Sequence, residues 1–380
     1  MHTYNPSLAQ DPDGYVALYR VDWQSGCLVE KKGMSKQFQG RKGNRHTAVI
    51  RLDKQFRPVG GSRVLDACGA PTYNDSSVDF SIGTNIVDMR VSRGGPVGSE
   101  SLWVTYLPMT FFMWLMPPGC KQFGMRCDKS THFAKLDLEE SPGQGILSAQ
   151  LHDIVDVCTG NKVSGRNHGV FFGDDGRLHA QAWLHPNVIV LDVPLRTDPE
   201  LSEPPYETGS SVLAFRAGSQ PEACSHIRLS GTTQLLRVKA SRSPAEPLRE
   251  GLFGVGHLHH ALAPNRSKGD PAEMAPIRNG IAYFGSHYMH FFYLLESTPP
   301  YRLIAYSSEW CLPMSTTDRR CEVVQFVSGI EYEHGGKNFI ISYGANDCEA
   351  KLARIPVQKA LGLLSWPRQR VQRGSRSATA

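Results

Sequence analysis

Apolar positions in this chain fall into short runs of Val, Ile, Tyr and Phe, each bounded by Gly, Pro, Asp or Asn. That pattern predicts strands over 15–22, 47–52, 102–107, 170–172, 178–183, 188–193 and 211–215. It continues with 235–239, 252–257, 290–295, 303–306, 323–327, 338–343 and roughly 349–357. Helical periodicity is almost absent, the best short candidate being 357–364. Strands that arrive without alternating helices exclude a parallel βαβ sheet and fit a sandwich, a barrel or a propeller. Three stretches, 31–45, 194–207 and 261–279, are dense in Pro, Gly or charge and read as surface loops.

Composition sharpens this picture. With 380 residues, 36 Gly, 25 Pro and 9% aromatics, the chain is a turn-rich globular protein. Its formal charge of +5 owes four units to Arg368, Arg370, Arg373 and Arg376, in a tail without acids. The remainder is close to neutral, which argues against nucleic-acid binding. The basic end reads as a solvated tail. The longest uncharged stretch, 102–120, contains Pro108, Pro117 and Pro118 and reads as a strand plus an apolar loop, not as a membrane span. No charged-then-apolar leader precedes Asn5, so no signal peptide is read and the cytoplasm is the default compartment. The first motif stands so near Met1 that a natural chain beginning further upstream is one expectation. Nine cysteines include no CxxC pair; Cys120/Cys127 and Cys311/Cys321 are spaced to bridge short loops in an oxidising compartment. Oligomeric state leaves no sequence signal.

Candidate chemistry follows one theme, a polar or charged group at a strand end or turn. It occurs at Asn5-Pro-Ser before the strand ending in Tyr19-Arg20, and at Asn85 to Arg90 before Leu102-Trp-Val-Thr-Tyr106. It recurs at Arg166-Asn-His before Trp183-Leu-His185-Pro, and at Tyr343-Gly-Ala-Asn-Asp347. Carboxylate, amide, guanidinium and aromatic groups converging on one cavity suit a sugar, whose hydroxyls take hydrogen bonds while its apolar faces stack on rings. His257, His259, His260, His287 and His290 cluster as well. His-x-His is a metal-ligand spacing, and it is equally what pocket-lining or packed histidines produce; no metal is assigned. Tyr288 and His290 are candidates to line the same cavity. No Gly-x-Ser-x-Gly elbow, phosphate-cradling loop or dinucleotide fingerprint occurs. Arg196-Thr-Asp-Pro199 lies in a Pro- and Glu-rich stretch and reads as surface loop.

These residues resemble the five-bladed β-propeller family of mannoside phosphorylases and β-1,2-mannosidases, to which protozoal β-1,2-mannosyltransferases are related. Asn5-Pro6, Tyr19-Arg20, Asp88 with Arg90, Gly254-Val-Gly-His257 and Tyr343 to Asp347 stand in the family's order over nearly all of 1–358. The resemblance implies an all-β, five-bladed propeller over 1–358 and a basic tail over 359–380. It implies Asp88 as the general acid on a glycosidic oxygen, which needs a carboxyl of raised pKa in a partly dry pocket. Asn5, Arg20, Arg90, Asp347, Tyr343, His257 and Tyr288 would hold the sugar, with Arg166 and His185 at an anion position. An oligosaccharide or sugar is then the partner, with inorganic phosphate as co-substrate of a phosphorylase and no other cofactor. Val87 and Met89 depart from the family's Glu and Pro, and His185 stands where the family's second basic residue is expected. Hydrolysis, phosphorolysis, transfer from a nucleotide sugar or sugar phosphate, and non-catalytic glycan or protein binding therefore all stay open. So do the plainer readings: an Asp88–Arg90 ion pair, a turn-capping Asp347, and blade-closing hydrogen bonds by Asn5 and Arg20. Glu309 and Glu331 are both candidates for a second carboxylate.

Overall fold

The computed structural model describes residues 2–22, 45–64, 86–95, 100–108, 130–141, 145–158, 167–184, 188–193, 206–208, 230–231, 233–243, 245–261, 286–313, 321, 325–345 and 349–366. These form five antiparallel meanders. The first joins β1 (His2–Asp11), β2 (Gly14–Asp22), β3 (Arg45–Asp53) and β4 (Pro58–Val64). The second joins β5 (Ile86–Gly94), β6 (Ser101–Pro108), β7 (Ser130–Ser141) and β8 (Gly145–Cys158). The third comprises β9 (Gly169–Phe172), β10 (Leu178–Trp183), β11 (Val188–Asp192) and β12 (Tyr206–Thr208). In the fourth, β13 (Ser230–Gly231) and β14 (Leu236–Ala240) pair successive parts of β15 (Arg249–Ala261), followed by β16 (Ser286–Glu296) and β17 (Leu303–Ser307). The fifth is β18 (Gln325–Tyr332), β19 (Asn338–Ala345) and β20 (Glu349–Pro356).

Five apolar layers, one between each neighbouring pair of meanders, make this a five-bladed propeller. Val16, Leu18 and Val49 of the first blade meet Met89, Val91 and Val104 of the second. Trp103 and Phe133 meet Val170, Leu178 and Ala180 of the third. Phe171 and Val190 meet Leu252, Phe291 and Tyr293 of the fourth. Phe253, Phe292 and Leu294 meet Val327, Phe339 and Ile341 of the fifth. Ile340 then meets Leu8, Tyr15 and Ala17, which closes the ring. Central strands are covered on both faces, so they read as unbroken apolar runs. Residues 290–295, His-Phe-Phe-Tyr-Leu-Leu, are buried without exception.

Polar groups stitch the innermost strands around the axis. Ser7 Oγ accepts from the Val91 amide at 3.0 Å, and Ser328 Oγ donates to the Pro6 carbonyl. Gln234 donates from Nε2 to the Leu8 carbonyl at 2.9 Å and accepts at Oε1 from the Ile330 amide at 3.4 Å. Tyr293 Oη donates to Gln181 Oε1 at 3.0 Å. These groups are buried, so each bond also removes the cost of an unpaired polar atom.

The strand bounds expected from sequence hold for most central strands, while 211–215 lies outside the described residues. The loop expected over 194–207 is interrupted at its end by β12, which pairs β11; the described parts of 31–45 and 261–279 are single strand-terminal residues. Cys311 and Cys321 are joined by a disulfide, and Cys120 and Cys127 fall outside the described residues. The boundary at residue 358 needs moving. A short helix, α1 (Val357–Gly362), buries Ala360, and β21 (Leu364–Ser365) pairs β17 of the fourth blade. The folded chain therefore runs at least to Trp366, because the fourth blade's outer strand would otherwise present an unpaired edge.

Candidate active site

All innermost strands run the same way, so the propeller has one end where they begin and one where they finish. The register slips of the innermost strands gather at the beginning. In β1 the register slips between Tyr4 and Ser7, where Asn5 takes φ 51°. In β5 it slips between Val87 and Arg90, which puts the Asp88 backbone in a bulge. In β18 it slips between Val327 and Gly329. Asn167, just before β9, has φ 77°. Bulges re-aim side chains and collect beside functional sites, as do residues held in sparsely populated backbone conformations.

Arg90 is wholly buried here. Its guanidinium donates to the Met89 carbonyl and to Asn167 Oδ1, both at 2.9 Å, and lies 5.3 Å from the Phe326 ring centre. A cation over a ring face is held by the ring quadrupole. Phe326 also meets His257 edge-on at 5.3 Å and Tyr288 at 6.2 Å, while His257 and Tyr288 lie roughly parallel at 6.1 Å. Asn5 completes the ring from the first blade. Its Oδ1 is buried and takes no hydrogen bond from the described residues, and a Cβ at Gly344, the register partner of Phe326, would stand 2.2 Å from it. Five blades thus contribute Asn5, Arg90, Asn167, His257 with Tyr288, and Phe326 to one end.

The other expected residues distribute differently. Arg20 is half-buried on β2, opposite Tyr4 at the same end. Tyr343 is buried in the apolar layer between the fourth and fifth blades, so its ring serves packing there. His290 accepts at Nε2 from the Val327 amide at 3.1 Å and lies against Trp310 at 5.2 Å, a bond that ties the fourth blade to the fifth. Among the described residues no three metal-ligating side chains converge. The side chain of Asp88 and the whole of Arg166, His185 and Asp347 lie outside the described residues, as does 196–199. Sequence reasoning gave no role to Phe326, and named Asn167 only as part of the Arg166-Asn-His motif. Gly329 inside an apolar run was the available signal for the first, since glycine within a strand marks a bulge or close approach; a Cβ there would lie 2.5 Å from Ser342 Oγ.

Glu331 belongs elsewhere. It sits five residues beyond Phe326 along β18, about 15 Å away at strand rise, at the finishing end of the innermost strands. Burial pushes its carboxyl up to about 7, although the Tyr332 and Gln10 amides donate to it at 2.8 and 3.1 Å. It is therefore no partner for Asp88 across a single sugar. Glu309, exposed, follows the end of β17 toward the beginning end, next to Trp310, which bridges His290.

The chain matches no protein-family model and no curated protein. Among solved structures it is similar to a glycosyl hydrolase from Bacteroides ovatus, at 12% identity over 94% of this chain and 85% of that one, with a TM-score of 0.49. It is also similar to a structure described under mannoside phosphorylases of the GH130 family containing glycoside hydrolases that target β-1,2-mannosidic linkages in Candida mannan, at 13% identity, the same coverages and a TM-score of 0.47. A Trypanosoma rangeli sialidase in complex with 2,3-difluorosialic acid follows at 9% identity, 95% of this chain, 55% of that one and a TM-score of 0.37.

Proposed function

We propose that the chain is a carbohydrate-active enzyme that breaks or makes a glycosidic bond to a mannose-like sugar, with Asp88 as general acid. The observation that carries the reading is the gathering of Asn5, Arg90, Asn167, His257, Tyr288 and Phe326 from five blades at the end where the β5 bulge holds the Asp88 backbone. Rings, amides and a fixed guanidinium gathered at one end of the propeller suit a neutral ring with hydroxyls on its rim and apolar faces. Asp88 would give its proton to the departing oxygen as the anomeric C–O bond breaks. Water, phosphate or a second sugar hydroxyl would form the new bond and release the proton that restores the acid. Arg166 and His185 are the residues assigned to a phosphate.

The test is product analysis with β-1,2-mannobiose, with and without phosphate, for the wild type and Asp88→Asn. Loss of a general acid typically costs about 10²–10⁴-fold in rate. A drop of that size with an unchanged circular dichroism spectrum is expected, and phosphate dependence then separates phosphorolysis from hydrolysis. Parallel reactions pair mannose with mannose 1-phosphate or GDP-mannose. Absence of turnover in every reaction would overturn the reading in favour of a binding propeller.

A further inference from the structure

The finishing end of the innermost strands holds a cavity of about 940 Å³ bordered by all five blades. Gln234, bonded to the first and fifth blades, stands on the axis between this cavity and the end described above. Its walls combine three features. Phe172 and Leu236, both part-exposed, give apolar surface. Asp11, Glu100, Asp174, Asp175 and Glu331 face two lining guanidiniums, Arg93 and Arg237. Both guanidiniums are already matched by carboxylates, Arg93 by Asp11, and Arg237 by Asp174 at 2.8 Å and Glu250 at 2.6 Å. Glu331 accepts from the Tyr332 and Gln10 amides and from Gln234 and lies within the field of Arg93, but among the described residues no cation touches its carboxylate directly. The third feature is independent of charge: Ser92, 5% exposed, lines the cavity, and its buried hydroxyl meets no hydrogen-bond partner among the described residues.

A buried hydroxyl left unmatched and a buried carboxyl with no cation in direct contact can each take a further donor. An ammonium group supplies it, and methylenes beside it suit the Phe172 and Leu236 walls. At the rim Glu100 suits a second positive charge several bonds away, beside Asp174 and Asp175, which Arg237 and Arg177 already pair. We propose that this end is a binding site for a small linear polyamine, with an ammonium between Glu331 and Ser92 and its chain directed past Phe172 toward the rim.

Binding is proton-linked, because the carboxyl must ionise to pair. Asp11 from β1, Tyr15 from β2, Arg93 from β5, Tyr332 from β18 and His334 from its following turn also face Glu331 or its cavity. Calorimetric titration of the full chain with spermidine at pH 6 and pH 8 tests the site, using 1,8-octanediol as an uncharged ligand of similar length. For a carboxyl near 7, affinity should rise about tenfold from pH 6 to pH 8, with protons released at pH 6 and no binding of the diol. Glu331→Gln should weaken binding at pH 8 and remove the pH dependence, which separates Glu331 from His334. Ser92→Ala, which deletes one oxygen, should weaken binding at pH 8 if Glu331→Gln does not fold. Spermidine that fails to bind, binds equally at both pH values, or binds no better than the diol would overturn the proposal. Wild-type pH dependence in a folded Glu331→Gln would do so as well.

Discussion

Single residues set the site end. Asn5 and Gly344 illustrate how tightly, because the amide oxygen of one occupies the space a side chain on the other would need. Gly344→Ala forces a methyl to within 2.2 Å of Asn5 Oδ1 and 2.8 Å of its backbone nitrogen. Overpacking against a backbone held at φ 51° should cost about 1–3 kcal/mol and displace Asn5. Urea unfolding checks the first effect. The second is seen as lost turnover or glycan affinity in the folded fraction, with Gly362→Ala, where an added methyl meets nothing, as control. Some of this was readable in advance. Asn5, Arg90, His257 and Tyr288 all come to one end, the first two from the starts of innermost strands and the other two from the paired end of β15 and start of β16. Tyr343 does not, because its position on the middle strand β19 sends the ring into an inter-blade layer. Phe326 escaped notice because an aromatic inside an apolar run looks like core until a bulge turns it outward.

At the scale of elements, what could be read depends on where a strand lies in its blade. Middle strands such as β2, β6, β16 and β19 are buried on both faces and give continuous apolar runs. Strands β7 and β8 were not recognised, since exposed positions bring Lys135, Asp137, Glu139 and Glu140 into them and only alternation survives. Gly60 and Gly61 hid β4, and Asn5-Pro6 hid β1, where a bulge accommodates the proline. The last elements make the corresponding prediction. Helix α1 and strand β21 bury Ala360 and Leu364, part-bury Leu361 and Trp366, and pair the edge of β17. Ending the chain after Gln358 removes them and should lower stability by about 2–5 kcal/mol, as for the loss of one or two large buried side chains. Ending it after Trp366 keeps them. Equal denaturant midpoints for the two truncations would show that this segment contributes nothing to the propeller.

For the molecule as a whole, blade number was not readable from repeats; it follows from five inter-blade layers that close between Ile340 and Leu8. Closure also buries two ionisable groups whose effects on stability oppose one another. Burial raises Glu331 from 4.5 to about 7 and lowers His168 from 6.5 to about 4. As pH rises from 4.5 to 7, the unfolded chain loses the Glu331 proton before the folded one does, so this group lowers stability with rising pH. As pH falls from 6.5 to 4, the unfolded chain gains the His168 proton first, so this group lowers stability with falling pH. Each displacement is worth about 3 kcal/mol, and over pH 4.5–6.5 the two slopes nearly cancel. Urea titrations at half-unit pH steps on the wild type, Glu331→Gln and His168→Gln should separate them. Relative to wild type, Glu331→Gln should gain stability by about 3 kcal/mol between pH 4.5 and 7, whatever fixed cost its amide adds beside the Gln10 and Tyr332 donors. His168→Gln should show the reverse, its stability relative to wild type falling by about 3 kcal/mol from pH 4 to 6.5. The two difference curves must therefore slope in opposite directions; parallel or flat curves would mean that closure does not hold these groups out of water.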